Sequence, residues 1–277
     1  MEKEKSIQEL LNFCIVNLNK PSGPTSFKAC DKVRKILGAK KAGHFGTLDP
    51  MVTGVLPIAL NRGTRLSHYF MGHDKEYIGK MNLHLDVSEQ RLKDIMNDFI
   101  GVIIQKPPVR SRVKRVDRER LIKKFNIIKK DGRIVEFSSD VQAGTYIRKL
   151  IHDLGKKLNG AHMTELKRIR AGIFKIEDSF TLDEIYDAYN DYKKGDEKKL
   201  RKILISGNIV KRIITYVSVK EESLKDLLNG KPLMKSDVFK KLPNSELISV
   251  FLKEKFIGIY KRVEDGDIIA KPEFVLN

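Results

Sequence analysis

Between Gly43 and Gly54 the chain reads GHFGTLDPMVTG, and three glycines and a proline in twelve residues exclude a regular helix or strand there. The apolar run Val55 to Leu60 follows at once and reads as a buried strand. A glycine-bearing loop joined directly to a buried strand is anchored on the stiffest part of a fold. Asp49 lies inside this loop, beside Pro50, whose ring fixes its φ. Taken alone, Asp-Pro suits an Asx turn. A carboxylate on a loop with a rigid anchor also suits a cleft.

The rest of the chain supplies a frame for that loop. Cys14 to Asn19 reads as a short buried strand that ends at the turn Lys20-Pro21-Ser22-Gly23-Pro24. Ser26 is predicted to cap a helix with Phe27, Cys30, Val33, Ile36 and Leu37 on its apolar face and Gly38 as its stop. Glu76 to Leu85 alternates as a strand, and Ser88 caps a helix carrying Leu92, Ile95, Met96 and Phe99. Asp131-Gly132 between two apolar runs, 122–128 and 134–141, predicts a hairpin. Thr145 to Leu158 reads as a helix with Ile147, Leu150, Ile151 and Leu154 on one face. A helix from Thr181 to Tyr189 leads into the polar stretch Asn190 to Lys199, the predicted linker. Beyond Ile213 short strands are separated by turns at Asn229-Gly230-Lys231-Pro232 and Asp265-Gly266-Asp267. Strands and helices without strict alternation predict an α+β fold with a mixed, largely antiparallel sheet. A large unit over 1–211 and a small β-rich unit over 212–277 fit the length.

Charge narrows the partners. Fifty-four Lys and Arg against 36 Asp and Glu leave a formal net charge of +18, a balance that concentrates polyanions. From Ile104 to Lys130 there are eleven basic residues and two acids, interleaved with Pro107, Pro108, Val109, Val113 and Val116. That mixture predicts a folded basic surface suited to a phosphate backbone. No apolar run approaches the ~20 residues that span a bilayer, and the charged N-terminus lacks the apolar stretch of a secretory signal. Cys14 and Cys30 have no metal-ligand spacing, so a reducing intracellular (cytoplasmic) compartment is expected.

The twelve-residue loop closely resembles the signature of the TruB and dyskerin group of RNA pseudouridine synthases, in which its Asp is catalytic. Further motifs follow in order: Asn17 to Ser26 (NLNKPSGPTS), Lys75-Glu76-Tyr77, Gly144-Thr145-Tyr146-Ile147-Arg148, and Gly160 through Gly172. The resemblance covers about Ser6 to Phe174, and the remainder is loosely similar to a PUA domain, a small RNA-binding β-barrel. It implies a pseudouridine synthase fold with that domain appended, and catalytic roles for Asp49, Tyr77 and Arg148. It further implies substrate contacts from His44, Gly46, Thr47, Leu48, Tyr146 and Leu166. RNA contacts are expected from Lys20, Lys106, Arg110, Arg112, Lys114, Arg115, Lys167 and Arg168.

The chemistry explains these residue types. Pseudouridine formation breaks the C1′–N1 bond and rejoins the ring through C5, so neither a redox cofactor nor a metal is required. The carboxylate must be ionised to act at C1′ or on the ring, and a guanidinium favours that form. Tyr77 would stack on the extruded uracil, although a half-buried strand Tyr needs no such role. His44 is expected to bind RNA rather than to catalyse, and His162 to be structural.

Two branches of the family fit. Residues 75–84, 106–115 and 160–170 look more like the guided branch, in which an H/ACA guide RNA selects the uridine and three small proteins assemble with the catalytic subunit. Leu85-Asp86-Val87-Ser88-Glu89 stands where the stand-alone bacterial enzymes carry a Thr-Asp-Thr-type turn. The targets implied are ribosomal and transfer RNA. A stand-alone synthase for the T-arm of transfer RNA, and an inactive RNA-binding scaffold, are the alternatives. Phe45 replaces the family's usual small residue, a difference expected to bear on RNA entry.

Overall fold

Ser6 and Glu9 form a reciprocal capping box that starts α1 (Ile7–Asn12), and the chain passes directly into β1 (Phe13–Lys20). The computed structural model describes residues 5–107 and 114–277. Arg110 and Arg112, expected to bind RNA, lie outside the described residues, as do Pro108, Val109 and Val113. Helix α2 (Ser26–Ile36) is capped by Thr25, whose side chain accepts the Lys28 N–H, and not by Ser26 as predicted. Its buried side chains include Ala29, Cys30 and Val33, whereas Phe27, predicted for the core, is 76% exposed.

There follow β2 (Ala42–His44), β3 (Thr53–Asn61), α3 (Ser67–Met71), β4 (Lys75–Leu83), α4 (Glu89–Asn97), β5 (Gly101–Gln105) and β6 (Arg118–Asp131). Next come β7 (Ile134–Val141), α5 (Ile147–Lys156), β8 (Ala161–Ala171), β9 (Phe174–Lys175), α6 (Leu182–Lys193), α7 (Lys198–Ile203) and β10 (Ile205–Ser206). These ten strands form one sheet in the order β10-β1-β3-β8-β4-β7-β6-β5, with β2 on β3 and β9 on β8. Every pairing is antiparallel except β3 with β8. The predicted hairpin is present, with Asp131 opposite Ile134. The predicted linker is not: α6 runs through Lys193, and a short turn leads to α7. Leu200 and Ile203 of α7 are buried, as are Ile185 and Ala188 of α6. Polar residues there mark the outer face of a helical pair, not a tether.

A second sheet takes β11 (Tyr216–Ser218), α8 (Leu224–Leu228), β12 (Leu233–Met234), β13 (Leu247–Leu252), β14 (Lys255–Asp265) and β15 (Ile268–Val275). Its order is β11-β13-β14-β15-β12, and it curls into a half-barrel. An isolated bridge between Val219 and Val238 ties the segments beyond its two edge strands.

The two sheets share an apolar core. Phe13 of β1 stacks on Phe256 of β14 with ring centroids 5.3 Å apart, and Val55, Phe174, Ile259 and Phe274 pack around them. Phe45 belongs to this core. Its ring stacks on Phe70 at 5.0 Å and is 1% exposed, so it offers almost no surface to an entering RNA, contrary to the expectation from the sequence. No described helix is long and apolar enough to cross a membrane.

Candidate active site

The loop bearing Asp49 is fastened at both ends before any functional group is considered. Ser26 Oγ donates to the Leu48 carbonyl at 2.8 Å and accepts the Leu48 N–H at 2.7 Å, a two-way contact on the residue just before Asp49. The Gly23 N–H donates to the Pro50 carbonyl at 2.9 Å, and the Val52 N–H closes a tight turn onto the Asp49 carbonyl at 3.0 Å. Beneath the turn, Lys20 is fully buried and its Nζ donates to the carbonyls of Pro21, Pro50 and Val52 at 2.8–2.9 Å. Burial pushes the Lys20 pKa down, and the Asp49 carboxylate partly offsets this. Sequence reasoning assigned Lys20 to the RNA surface. Three carbonyls instead satisfy all three of its donors inside the protein.

Arg168 requires the same correction. It is 1% exposed, and its guanidinium donates to Val55 O at 2.7 Å and to Gly46 O at 3.0 Å. The backbone makes room for it, because Gly54 has φ +98 and an added Cβ would lie 2.2 Å from Arg168 O. Arg168 thus ties β8 to both ends of the loop. His44 is partly buried above it, and burial together with the Arg168 charge holds its imidazole below the ordinary range. Among the described residues, its buried Nδ1 has no hydrogen-bond partner.

Asp49 projects from this frame. Its Oδ2 accepts from the Arg148 guanidinium at 2.8 Å, with the side chains 52% and 63% exposed. Arg148 lies in the first turn of α5. Gln105, at the end of β5, fixes the start of that helix: its Oε1 accepts the Tyr146 N–H at 2.9 Å and its Nε2 donates to Tyr146 O at 3.2 Å. Tyr77 of β4 is opposite Arg168 of β8, which is opposite Gly54 of β3. Tyr77 is therefore two strands from the end of the loop, about 10 Å at ordinary strand spacing. Leu166 is opposite Gly79, where an added Cβ would meet Phe137 Cζ at 2.7 Å and Leu166 Cδ1 at 2.9 Å. The missing side chain lets Leu166 and Phe137 close over the strand.

One charged set escaped sequence reasoning. Arg170 of β8 donates to Glu76 at 2.7 Å and to Asp140 at 3.2 Å, across β4 and β7 beside Tyr77. Only its strand spacing from Arg168 hinted at it. Among the remaining sequence-derived residues, Leu48 is buried, while Thr47, Lys106, Lys114, Arg115 and Lys167 are exposed. Lys106 follows Gln105 at the end of β5, and Lys114 and Arg115 resume the chain after the segment outside the described residues. His162 pairs with His84, ring nitrogens 3.1 Å apart, on the exposed end of β4 and β8.

Residues 34–147 match the model of the TruB family pseudouridylate synthase N-terminal domain, and residues 148–208 match that of the tRNA pseudouridylate synthase B C-terminal domain. A probable tRNA pseudouridine synthase B of Pyrobaculum aerophilum is 38% identical over 98% of this chain and 83% of its own length. Among solved structures, a Cbf5-Nop10-Gar1 complex contains a chain that is 36% identical. Its TM-score is 0.89 over 98% of this chain and 87% of that one. A chain in an H/ACA RNP bound to a substrate RNA containing 2′-deoxyuridine is 34% identical, with TM-score 0.88 over 99% and 88%.

Proposed function

The chain belongs to the TruB family of pseudouridylate synthases and isomerises uridine in RNA to pseudouridine; from that premise we propose that it acts as the catalytic subunit of an H/ACA guide ribonucleoprotein. Asp49 is its catalytic carboxylate, and the observation that carries this reading is the Asp49–Arg148 ion pair on a loop fastened by Ser26, Lys20 and Arg168. Asp49 acts as an ionised group on the uridine, at C1′ or on the ring. The C1′–N1 bond breaks, C1′ rejoins the ring at C5, the C5 proton leaves, and N1 takes up a proton. No oxidant, reductant or cofactor enters that balance. Arg148 orients the carboxylate by a charge-assisted hydrogen bond. Tyr77 stacks on the extruded uracil and Leu166 lines its pocket, with His44, Gly46, Thr47, Leu48 and Tyr146 beside the substrate. Lys106, Lys114, Arg115 and Lys167, all exposed, follow the RNA backbone.

Guidance is supported by the likeness, at 34–36% identity across nearly the whole chain, to chains solved in a Cbf5-Nop10-Gar1 complex and in an H/ACA RNP bound to a substrate RNA. The same likeness supports a substrate RNA and small proteins of the Nop10 and Gar1 kind as partners; a guide RNA, a third small protein, and ribosomal or transfer RNA as the target complete the proposal. The working division falls near residues 211 and 212, with a PUA-like unit after it, in a reducing cell interior. The relatives' naming as tRNA synthases favours a second reading, direct action on transfer RNA. Reconstitution separates them. Turnover that requires guide RNA supports guidance, whereas turnover of transfer RNA by the chain alone, undiminished without guide, supports direct action.

A further inference from the structure

Arg148 meets Asp49 through a long side chain that is 63% exposed. Its position therefore depends on the backbone at the start of α5. That start is not self-capped, because Tyr146 occupies the N-cap and carries none of the short Ser, Thr, Asp or Asn side chains that hold a helix terminus. The cap is supplied across the sheet. Gln105 is 2% exposed, and its amide binds both the N–H and the carbonyl of Tyr146, which also accepts the Leu150 N–H of the first helical turn. A second glutamine completes the arrangement. Gln142 Oε1 accepts the Leu121 N–H at 3.1 Å and its own N–H donates to Leu121 O at 2.8 Å, tying the approach to α5 onto β6.

We infer that Gln105 is a positioning residue for the isomerisation, acting through Arg148: its amide fixes the backbone of Tyr146 and so sets the guanidinium on Asp49. The inference rests on the reading of Asp49 and Arg148 given above. Gln105 is the last residue of β5, the edge strand of the large sheet, and Lys106 begins the basic segment next to it. The residue that sets Arg148 is thus directly continuous with the surface proposed to take RNA backbone. An amide suits the task where a carboxylate does not. It donates to Tyr146 O and accepts from Tyr146 N–H at once, and it adds no negative charge near the ion pair. A misplacement of about 1 Å in a catalytic group costs on the order of 10²-fold in rate, and a 2.8 Å ion pair between two exposed side chains is sensitive to a shift of that size.

The test is a kinetic cycle on the full chain with an RNA that the wild type turns over, using Gln105→Leu, Arg148→Lys and the double variant. Melting curves identify the variants that remain folded, and Gln105→Glu keeps the acceptor while losing the donor. The expected result is a fall in kcat of roughly 10- to 100-fold for Gln105→Leu. KM for RNA should be unchanged, Gln105→Glu should be intermediate, and Gln105→Leu should cause no further loss in the Arg148→Lys background. Equal losses in both backgrounds would overturn the inference, because Gln105 would then act independently of Arg148. So would an unchanged kcat with only a lowered melting temperature. If Arg148→Lys itself leaves kcat unchanged, the reading of the ion pair fails first.

Discussion

Replacing Arg168 by methionine separates a structural cation from an RNA-binding one. The guanidinium makes two charge-assisted bonds, 2.7 Å to Val55 O and 3.0 Å to Gly46 O, in a side chain that is 1% exposed. Hydrogen bonds to a charged group contribute about 1.5–3 kcal/mol each. Their loss, offset in part by the methionine's own packing, predicts a destabilisation of about 3–5 kcal/mol. Urea unfolding followed by circular dichroism reads this as a lower midpoint at constant slope. RNA affinity measured well below that midpoint, as a function of salt, should keep its slope, because a buried cation displaces no counterions. Lys167→Met, one residue away and exposed, should do the reverse: stability unchanged within about 0.5 kcal/mol and a slope shallower by about 0.7–0.9. An Arg168→Met protein with unaltered stability and a shallower salt slope would refute the assignment.

Gly54→Ala should destabilise by at least ~3 kcal/mol, since it combines φ +98 with a Cβ that meets Arg168 O at 2.2 Å, and calorimetry would read the drop. Lys75 is 6% exposed, its Nζ donates to the carbonyls of Met71 and His73, and burial pushes its pKa down to about 8. Its folded pKa lies below the unfolded value of 10.5, so its contribution to stability is fully present above about pH 10.5 and is lost as pH falls through about 8. Relative to Lys75→Met, the wild type should therefore gain stability between those limits, and a side-chain NMR titration of Lys75 near 10.5 would contradict this. Burial also raises the thiol pKa of Cys14 to about 12 and of Cys30 to about 11, so a thiol reagent at pH 8 should label neither until the protein unfolds.

What was legible in the sequence follows from how local each interaction is. The Asp-Gly hairpin, the Ser88 cap and the strand after the loop depend on neighbours a few residues apart, and each formed as read. The Asp49–Arg148 contact was anticipated only because whole motifs resembled a family, since nothing in either local segment predicts a partner 99 positions away. Lys20 and Arg168 were misread because a charge in sequence reads as surface, while all but one of the carbonyls that hold them (Pro21 O, the neighbour of Lys20) come from 30 to 122 residues away. Ser26 shows a subtler failure. Thr25 took the cap, which freed the Ser26 hydroxyl to hold Leu48. Phe27 shared the helical spacing but not the buried face, because the period fixes which residues align and not where the stripe ends. The shared core between the sheets, with Phe45 inside it, had no signature at all, since it depends on how two separately patterned sheets meet.

The most direct measurement is release of tritium from RNA labelled at uridine C5 by the wild type and by Asp49→Asn, each assembled with guide RNA and partner proteins, with RNA affinity measured in parallel. The expected result is release by the wild type, a loss of at least about 10³-fold in the variant, and equal affinity for RNA. Comparable release by the two proteins, with RNA still bound, would show that Asp49 is not the group on which the isomerisation depends.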